Sequence, residues 1–183
     1  LSYYDLGLKF LAEAYHRNGN NNRAIELIQE FRNRSFINND SISYIDATFN
    51  LAQYDMNIEN YEKHLNECLS IITNIKNDNR LYLDGLTTIG ELYYKLENHE
   101  EAIKYNKNAL CLAEQYYGKN SDYVARSTRL YGSYLNAEMY NEADSLAKIT
   151  LPIAKQLSYN KYLDILNNYS RTTICAVGKK SKS

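Results

Sequence analysis

Proline, glycine and tryptophan are scarce in this chain of 183 residues, which has one Pro, seven Gly and no Trp. Pro and Gly mark the turns of all-β and α/β folds, so their scarcity argues against both classes. Charge of one sign is also missing, because 21 Lys plus Arg balance 22 Asp plus Glu, for a net charge of −1. Proteins that bind a phosphate backbone usually carry a strong basic excess, so we expect no nucleic-acid partner.

Cysteine pairs and long apolar runs are absent as well. The three cysteines are Cys68, Cys111 and Cys175, and none belongs to a CxxC pair. An odd, unpaired set argues against a disulfide framework and favours a reducing compartment, so we expect a cytoplasmic protein. No run of about 18 apolar residues occurs, and no membrane span is therefore expected.

What the chain does contain is enough apolar material for a core. Hydrophobic residues make up 44% of it, and 19 residues are Tyr. This composition argues against disorder and predicts a largely helical chain. Asn is abundant and is a good turn former. An A/T-rich genome would also enrich Asn, Tyr, Ile and Lys, and the sequence leaves both interpretations open.

Comparison of the sequence with itself reveals four related segments. Each has a short polar turn, then acidic or amide residues, then a helical apolar stripe. The segments cover residues 17–28, 57–68, 95–106 and 136–147. The aligned positions, spaced by 40, 38 and 41 residues, are Ala24, His64, Ala102 and Ala143. A second marker lies 12 residues before each of them, at Ala12, Ala52, Gly90 and Tyr131.

Two antiparallel helices joined by a tight turn explain this spacing. A small residue at each marker lets the two helices approach closely, and a larger side chain would push them apart. Apolar residues at i, i+3, i+4 and i+7 then give each helix one buried stripe. The second segment departs from the pattern, since it has His64 in place of Ala and Asp55 where the others have Tyr15, Tyr93 and Tyr134.

The pattern predicts nine helices. Their ranges are about 2–18, 21–35, 41–56, 58–76, 80–96, 99–117, 121–137, 140–157 and 160–176. Asp40 with Ser41, and Ser121 with Asp122, are suited to cap helix starts, because their side chains accept bonds from free backbone N–H groups. Gly118 is suited to end the sixth helix in a left-handed conformation. Pro152 should kink the eighth helix.

These segments resemble the tetratricopeptide repeat (TPR) family, and LENHEEAIKYNKNAL at 96–110 is the best single match. The 38–41-residue spacing resembles the longer repeats of kinesin light chains. The resemblance implies an all-α fold, a right-handed α-solenoid of antiparallel helix pairs. It implies a single array over 1–178, with a polar tail at 179–183. The array would contain about four TPR units and a capping helix, at about 2–36, 41–76, 80–118, 121–157 and 160–176.

In such arrays the first helix of each pair lines a concave groove. Helical spacing from the small marker then predicts which residues face a bound peptide or protein. These are Lys9, Glu13, Arg17, Phe49, Asn50, Gln53, Thr87, Glu91, Tyr94, Thr128, Arg129, Asn136, Asn167 and Arg171. The same spacing also includes His16 and Asp84. Amides can pair with the main chain of an extended peptide, and Arg can hold a carboxylate with two bonds. The alternative is that these residues form ordinary solvated helix faces.

Catalytic and metal-binding motifs are not found in the sequence. There is no HExxH, GxSxG, GxxxxGK[ST] or GxGxxG motif. His64 and Cys68 lie four residues apart on one helix, but no further ligands are spaced to join them, so both are interpreted as packing residues. We therefore expect no catalytic residue, no metal site, no cofactor and no enzymatic activity.

Two functions remain, because TPR arrays serve many unrelated processes. The first is a non-enzymatic scaffold that binds a protein or peptide in its groove. The alternative is the regulatory or sensor region of a larger bacterial signalling protein, with a peptidase, kinase or DNA-binding effector outside this chain. Solenoid ends expose apolar surface, which also makes self-association a hypothesis.

Overall fold

A computed structural model describes residues 2–76 and 78–157 of the chain, and these residues form eight α-helices and one short 3-10 helix. The helices are α1 (Tyr3–Arg17), α2 (Asn21–Ile37), α3 (Ser41–Tyr54), α4 (Tyr61–Ile72), α5 (Asn79–Lys95), α6 (His99–Tyr117), α7 (Ser121–Asn136) and α8 (Tyr140–Leu157). They fall into two compact units, with unit 1 at Leu1–Leu96 and unit 2 at Glu97–Ser183. The single array over 1–178 stays a prediction.

Unit 1 packs α1 to α5 around the predicted small markers. Ala12 and Ala24 are completely buried, and Ala52 is 1% exposed. Phe31 of α2 shares a core cluster with Leu51 of α3. The apolar stripes of successive helices therefore meet where the repeat pattern placed them.

The close approach of α4 and α5 depends on a glycine. A Cβ built on Gly85 would lie 2.5 Å from Ile72 Cδ1 and 2.8 Å from Phe49 Cζ. Such distances are far inside van der Waals contact, so no larger residue fits there without moving its neighbours.

Unit 2 repeats the plan with α6, α7 and α8. Leu110, Leu130 and Tyr134 share a cluster with the small residues Ala143 and Ala147. The polar pair at the centre of this unit is satisfied, because Asn106 Nδ2 donates to Ser133 Oγ at 3.0 Å. Ser133 Oγ in turn donates to the backbone carbonyl of Arg129 at 3.2 Å.

Asn and Asp side chains start most of the helices. Asn20, Asp40, Asp78 and Asn98 each accept a backbone N–H of the first helical turn. The predicted cap of α7 at Ser121 and Asp122 is wrong by one residue. Its cap is Asn120, whose side chain accepts from the N–H groups of Asp122 at 2.9 Å and Tyr123 at 3.1 Å.

Positive φ angles end several helices. Gly118 ends α6 at the predicted residue, but its φ of +70° and ψ of −169° lie outside the left-handed helical region. Gly19 has φ +79°, while Glu97 and Glu138 reach +59° and +57° without being glycine. These three residues all lie five positions before a buried alanine of the repeat, so the tight turn recurs in the same place.

The second helix pair is built differently from the expectation. Helix α3 ends at Tyr54 rather than 56, and Ile58–Asn60 form the 3-10 helix before α4. The reason is extended backbone at Asp55 and Asn57, with ψ of 116° and 114°. Helix α4 also ends earlier than predicted, at Ile72 rather than 76.

At the other end of the chain, α8 continues through Pro152 to Leu157, and its kink stays a prediction. The capping helix predicted at 160–176 and the tail at 179–183 lie outside the described residues.

Candidate functional site

A polar cleft opens in unit 1 where α1, α3 and α5 lie side by side. Its volume is about 220 Å³. It is lined by Lys9, Glu13, His16, Arg17, Asp46, Asn50, Gln53, Tyr54, Arg80 and Asp84. Seven of these, from three helices, were predicted to face a ligand: Lys9, Glu13, His16, Arg17, Asn50, Gln53 and Asp84. We call this surface the polar cleft.

The polar cleft continues into a neighbouring hollow of about 230 Å³. The two share Lys9, Asp46, Arg80 and Asp84, and the hollow adds apolar wall from Leu81. An elongated ligand could therefore lie across three helices of unit 1. Each helix contributes residues from more than one turn, as the 3.6-residue period requires.

Charges on the polar cleft are largely paired with one another. Lys9 Nζ lies 2.5 Å from Asp46 Oδ2, joining α1 to α3. Arg17 donates to Glu13 Oε1 at 2.5 Å within α1. Partly exposed pairs of this kind contribute little stability, about 0–1 kcal/mol, so a ligand can exchange with them at small cost.

Two amide side chains hold the middle of the polar cleft. Asn50 Nδ2 donates to the backbone carbonyl of Asp46 at 2.9 Å. Gln53 Nε2 donates to Thr88 Oγ1 at 2.8 Å and joins α3 to α5. A primary amide has two donors and one acceptor, so each keeps a donor and its carbonyl oxygen for a ligand.

An aromatic pair forms the wall at the end of α1. The rings of His16 and Tyr54 stack with centroids 4.3 Å apart. His16 Nδ1 lies 2.8 Å from Asn21 Oδ1, which can only accept, so His16 Nδ1 carries a proton and donates it. Burial, and after it the carboxylates of Glu13 and Asp46, raise the pKa of Tyr54 to about 12. Its phenol therefore stays protonated and can act as a donor.

Two predicted site residues of unit 1 lie in the core instead of on the surface. Phe49 is 2% exposed and packs where α5 approaches at Gly85. Thr87 is 3% exposed and donates back to the carbonyl of Leu83 at 2.8 Å. The prediction that Phe49 and Thr87 face the groove is therefore wrong. Helical spacing counted from one marker does not show how closely the neighbouring helix approaches. Glu91 and Tyr94 lie further along α5, outside the polar cleft.

The predicted residues of unit 2 lie on α7. Arg129 and Asn136 are exposed, whereas Thr128 is half-buried and donates to the carbonyl of Val124 at 3.0 Å. Their role in binding stays a prediction. Asn167 and Arg171 lie outside the described residues.

Sequence reasoning missed three lining residues, Asp46, Tyr54 and Arg80. A usable signal was present for two of them. Asp46 lies four residues before Asn50, and Arg80 lies four residues before Asp84, so one more helical turn would have included both. Tyr54 belongs to the core cluster and also lines the polar cleft, and its place in the apolar stripe predicts only the first of these roles.

Of the two cysteines among the described residues, Cys68 is buried and Cys111 is exposed. Across residues 2–76 and 78–157, no three His, Cys, Asp or Glu side chains are grouped so that they could hold a metal ion. Burial raises the pKa of the Cys68 thiol to about 12, and the residue is fully buried, which makes it a packing residue. Among the described residues, no helix combines the length and the apolar character needed to cross a membrane.

Residues 81–156 match the model of a tetratricopeptide repeat family. Solved structures extend the similarity over most of the chain. A protein from Podosopora anserina, described as a putative kinesin light chain with nearly identical TPR-like repeats, is 15% identical with a TM-score of 0.74. The match covers 96% of this chain and 88% of that one. The predicted all-α repeat fold and its likeness to kinesin-light-chain repeats are therefore confirmed.

Two further structures share the fold. A Rap protein complexed with competence and sporulation factor has 14% identity and a TM-score of 0.74, with 98% of this chain and 57% of that chain covered. A STAND protein with a TPR sensor from Pyrococcus horikoshii has 22% identity and a TM-score of 0.59, with 91% and 25% covered. No curated protein matches the sequence.

Proposed function

We propose that this chain is a non-enzymatic binding module that holds an extended peptide segment in the polar cleft of unit 1. The observation that carries the proposal is the convergence of predicted groove residues from α1 and α3 on one cleft. Such convergence is what a ligand site needs and what scattered solvated faces would lack.

The chemistry of the polar cleft favours recognition of main chain over recognition of one charge. Asn50 and Gln53 each offer a donor and an acceptor, which matches the alternating N–H and C=O groups of a peptide. Lys9 and Asp46 balance each other, so the cleft has no strong excess of either sign. A ligand with scattered charges of both signs therefore fits better than a polyanion.

A peptide array probed with the full chain tests the proposal. Hits are then measured by calorimetry with a variant that carries Asn50→Ala and Gln53→Ala. We expect this variant to lose at least about tenfold in affinity, because each lost bond to a ligand amide contributes about 0.5–1.5 kcal/mol.

The matched control is Asn33→Ala, which removes an exposed amide on α2, outside the polar cleft. It should bind every hit as the wild type does. An array without enriched peptides, or hits that keep full affinity for the double variant, would contradict the proposal.

A second candidate is the sensor region of a larger signalling protein, in which a peptide in the polar cleft controls an effector domain. The lengths of two similar structures favour it. The match covers only 57% of the Rap protein and 25% of the STAND protein, so both continue beyond the matched part. The full reading frame tests it. An effector domain fused in frame supports this candidate, whereas a start codon just before Leu1 with a stop codon after Ser183 contradicts it.

A further inference from the structure

The outward side of α1 is apolar and exposed. Tyr3 is 95% exposed, Phe10 63% and Leu11 46%. Gly7 and Ala14 lie on the same side and are exposed too. We call these five residues the α1 face. Three large apolar side chains on the solvent-exposed side of one helix are unusual, because surface helices normally have polar residues on that side.

The repeat register shows what this stripe does elsewhere in unit 1. Positions 7, 11 and 14 correspond, 40 residues later, to Ala47, Leu51 and Tyr54 of α3. Those three residues are 0%, 5% and 5% exposed, and they share a core cluster with Ile28 and Phe31 of the preceding helix α2. Positions 7, 11 and 14 of the α1 face therefore lie on the surface by which a first helix packs against another helix, while positions 3 and 10 correspond to Ser43 and to Asn50 of the polar cleft.

The glycines Gly7 of α1 and Gly85 of α5 occupy equivalent positions in the repeat. Gly7 corresponds to Gly85 after two repeats. A Cβ on Gly85 would collide with Ile72 of α4, whereas a Cβ on Gly7 would meet no atom within 4 Å. Position 7 thus has the small residue that a close helix contact requires, but unit 1 itself supplies no helix against it.

We propose that a second copy of this chain covers the α1 face, with the two α1 helices packed antiparallel about a two-fold axis. Residues 3, 7, 10 and 14 follow the 4-3-4 spacing of a coiled-coil seam. In an antiparallel pair centred between Leu8 and Lys9, Tyr3 lies opposite Ala14 and Phe10 lies opposite Gly7. Each aromatic ring then faces a small residue of the partner copy, so the seam is self-complementary.

Charge does not oppose this pairing. All five residues of the α1 face are uncharged, so the seam itself places no like charges opposite each other. The contact uses one helix per copy, which is at the small end of specific interfaces, so we expect a weak and concentration-dependent dimer.

Sedimentation velocity of the full chain tests the proposal directly. We expect the mass to rise from 21.3 kDa towards twice that value as the concentration increases. The range should run from about 1 to about 300 µM, since an interface of this size dissociates readily. A monomer throughout this range overturns the proposal.

Gly7→Leu is the sharpest variant. Unit 1 leaves open space around position 7, so the monomer should fold and melt as before or better. The seam loses its small residue, and we expect the dissociation constant to rise at least about tenfold through steric overlap. Phe10→Ala should weaken the dimer as well. The control Phe36→Ala, which truncates a 71% exposed Phe on α2, should leave association unchanged.

An exchange variant separates this geometry from general stickiness. Gly7→Phe combined with Phe10→Ala restores one large and one small residue at each opposed pair, so it should dimerise more tightly than either single variant. If the double variant associates no better than Gly7→Phe alone, the antiparallel register is wrong. Dimers that survive both single changes also overturn the proposal.

Discussion

The first two helix pairs of unit 1 close in different ways. Helices α1 and α2 meet at two completely buried alanines, Ala12 and Ala24, and turn at Gly19 with φ +79°. Helices α3 and α4 meet at Ala52 and His64, and the tight turn is replaced by extended backbone and a 3-10 helix. The first pair relies on small residues, whereas the second accommodates a large polar ring.

A hydrogen-bond network accommodates the buried His64 between α3 and α4. His64 is 6% exposed, and its Nε2–H donates to Asp55 Oδ2 at 3.0 Å. Asn60 Nδ2 donates to the same oxygen at 2.8 Å, and the backbone N–H of Asn57 donates to Oδ1 at 2.9 Å. Burial raises the pKa of Asp55, but these bonds outweigh it and hold that pKa below its usual range.

The two departures of the second repeat, Asp55 and His64, belong to one local contact. Asp55 stands where the other repeats have Tyr, and His64 stands where they have Ala, yet the two contact each other directly. One polar residue alone would leave a buried group unpaired, which is costly. Two departures from a repeat pattern thus form one local structure.

The largest loss of stability should come from introducing the histidine of the second pair, without its aspartate, into the first pair. Ala24→His puts a ring at a completely buried position without a carboxylate partner. We expect a loss of about 3–5 kcal/mol in the free energy of unfolding, from overpacking and an unpaired polar group. Urea denaturation followed by circular dichroism measures it. Asn22→His, on the exposed side of the same helix, should change stability by less than about 0.5 kcal/mol.

Removing the carboxylate from the second pair should have the next largest effect. Asp55→Ala leaves His64 and Asn60 without their acceptor, and we expect a loss of about 2–3 kcal/mol. Glu26→Ala breaks the exposed pair with Arg23 and should cost less than about 0.5 kcal/mol.

The coupling itself can be measured with a double-mutant cycle. Asp55→Tyr with His64→Ala restores the pattern of the other repeats and should be more stable than the sum of the two single changes predicts, by about 1 kcal/mol or more. Strict additivity would show that the two departures are independent.

Substitutions of two glycines in the first pair should change stability by a smaller amount and in opposite directions. Gly19→Ala forces a Cβ onto a residue with φ +79° and should cost about 1 kcal/mol. Gly7→Ala makes the same chemical change inside α1, where nothing lies near the added Cβ, and should stabilise by about 0.5–1 kcal/mol. Thermal melts at low concentration compare them. Equal signs would contradict the geometry of the turn.

Acid should affect both pairs gradually. Bonds from Ser2 and then Arg34 lower the pKa of Asp5, in the first pair, from 3.8 to about 2, and the pKa of Asp55 is lowered as well. A lowered folded-state pKa contributes stability above the unfolded value and loses it as the pH falls. Urea midpoints should therefore be flat near neutral pH and decline between about pH 4 and about pH 2.

Asp5→Asn should flatten part of this decline, because it removes one of the two titrating groups. Glu142→Gln, on the surface of α8, should leave the profile unchanged. A wild-type profile that stays flat down to pH 2 would contradict the roles given to both carboxylates.

Most of the fold was predictable because helix pairing depends on local spacing. The buried stripes and the small markers repeat at fixed intervals, and Ala12, Ala24, Ala102 and Ala143 are all completely buried. Helix ends were less predictable where the turn is not local. The end of α3 at Tyr54 depends on Asp55 being held by His64, nine residues later.

Seven of the ten residues that line the polar cleft were predictable. Lys9, Glu13 and Asn50 line the polar cleft because helical spacing alone places them on the open side of their helices. Phe49 and Thr87 were wrong, since their burial depends on how closely α5 approaches α3 and α4 at Gly85. A close approach of this kind is a property of packed helices and does not show in the period of one helix.

The sequence by itself therefore determined the class of the protein: a chain of antiparallel helix pairs with small residues at their contacts and polar residues at their turns. Periodicity and turn chemistry are local, so they can be read from the residues in order. Only the tertiary structure decided which polar side chains share the polar cleft, which departures pair as His64 and Asp55 do, and which face of α1 is left apolar in water. Each of these depends on distances between residues far apart in the chain.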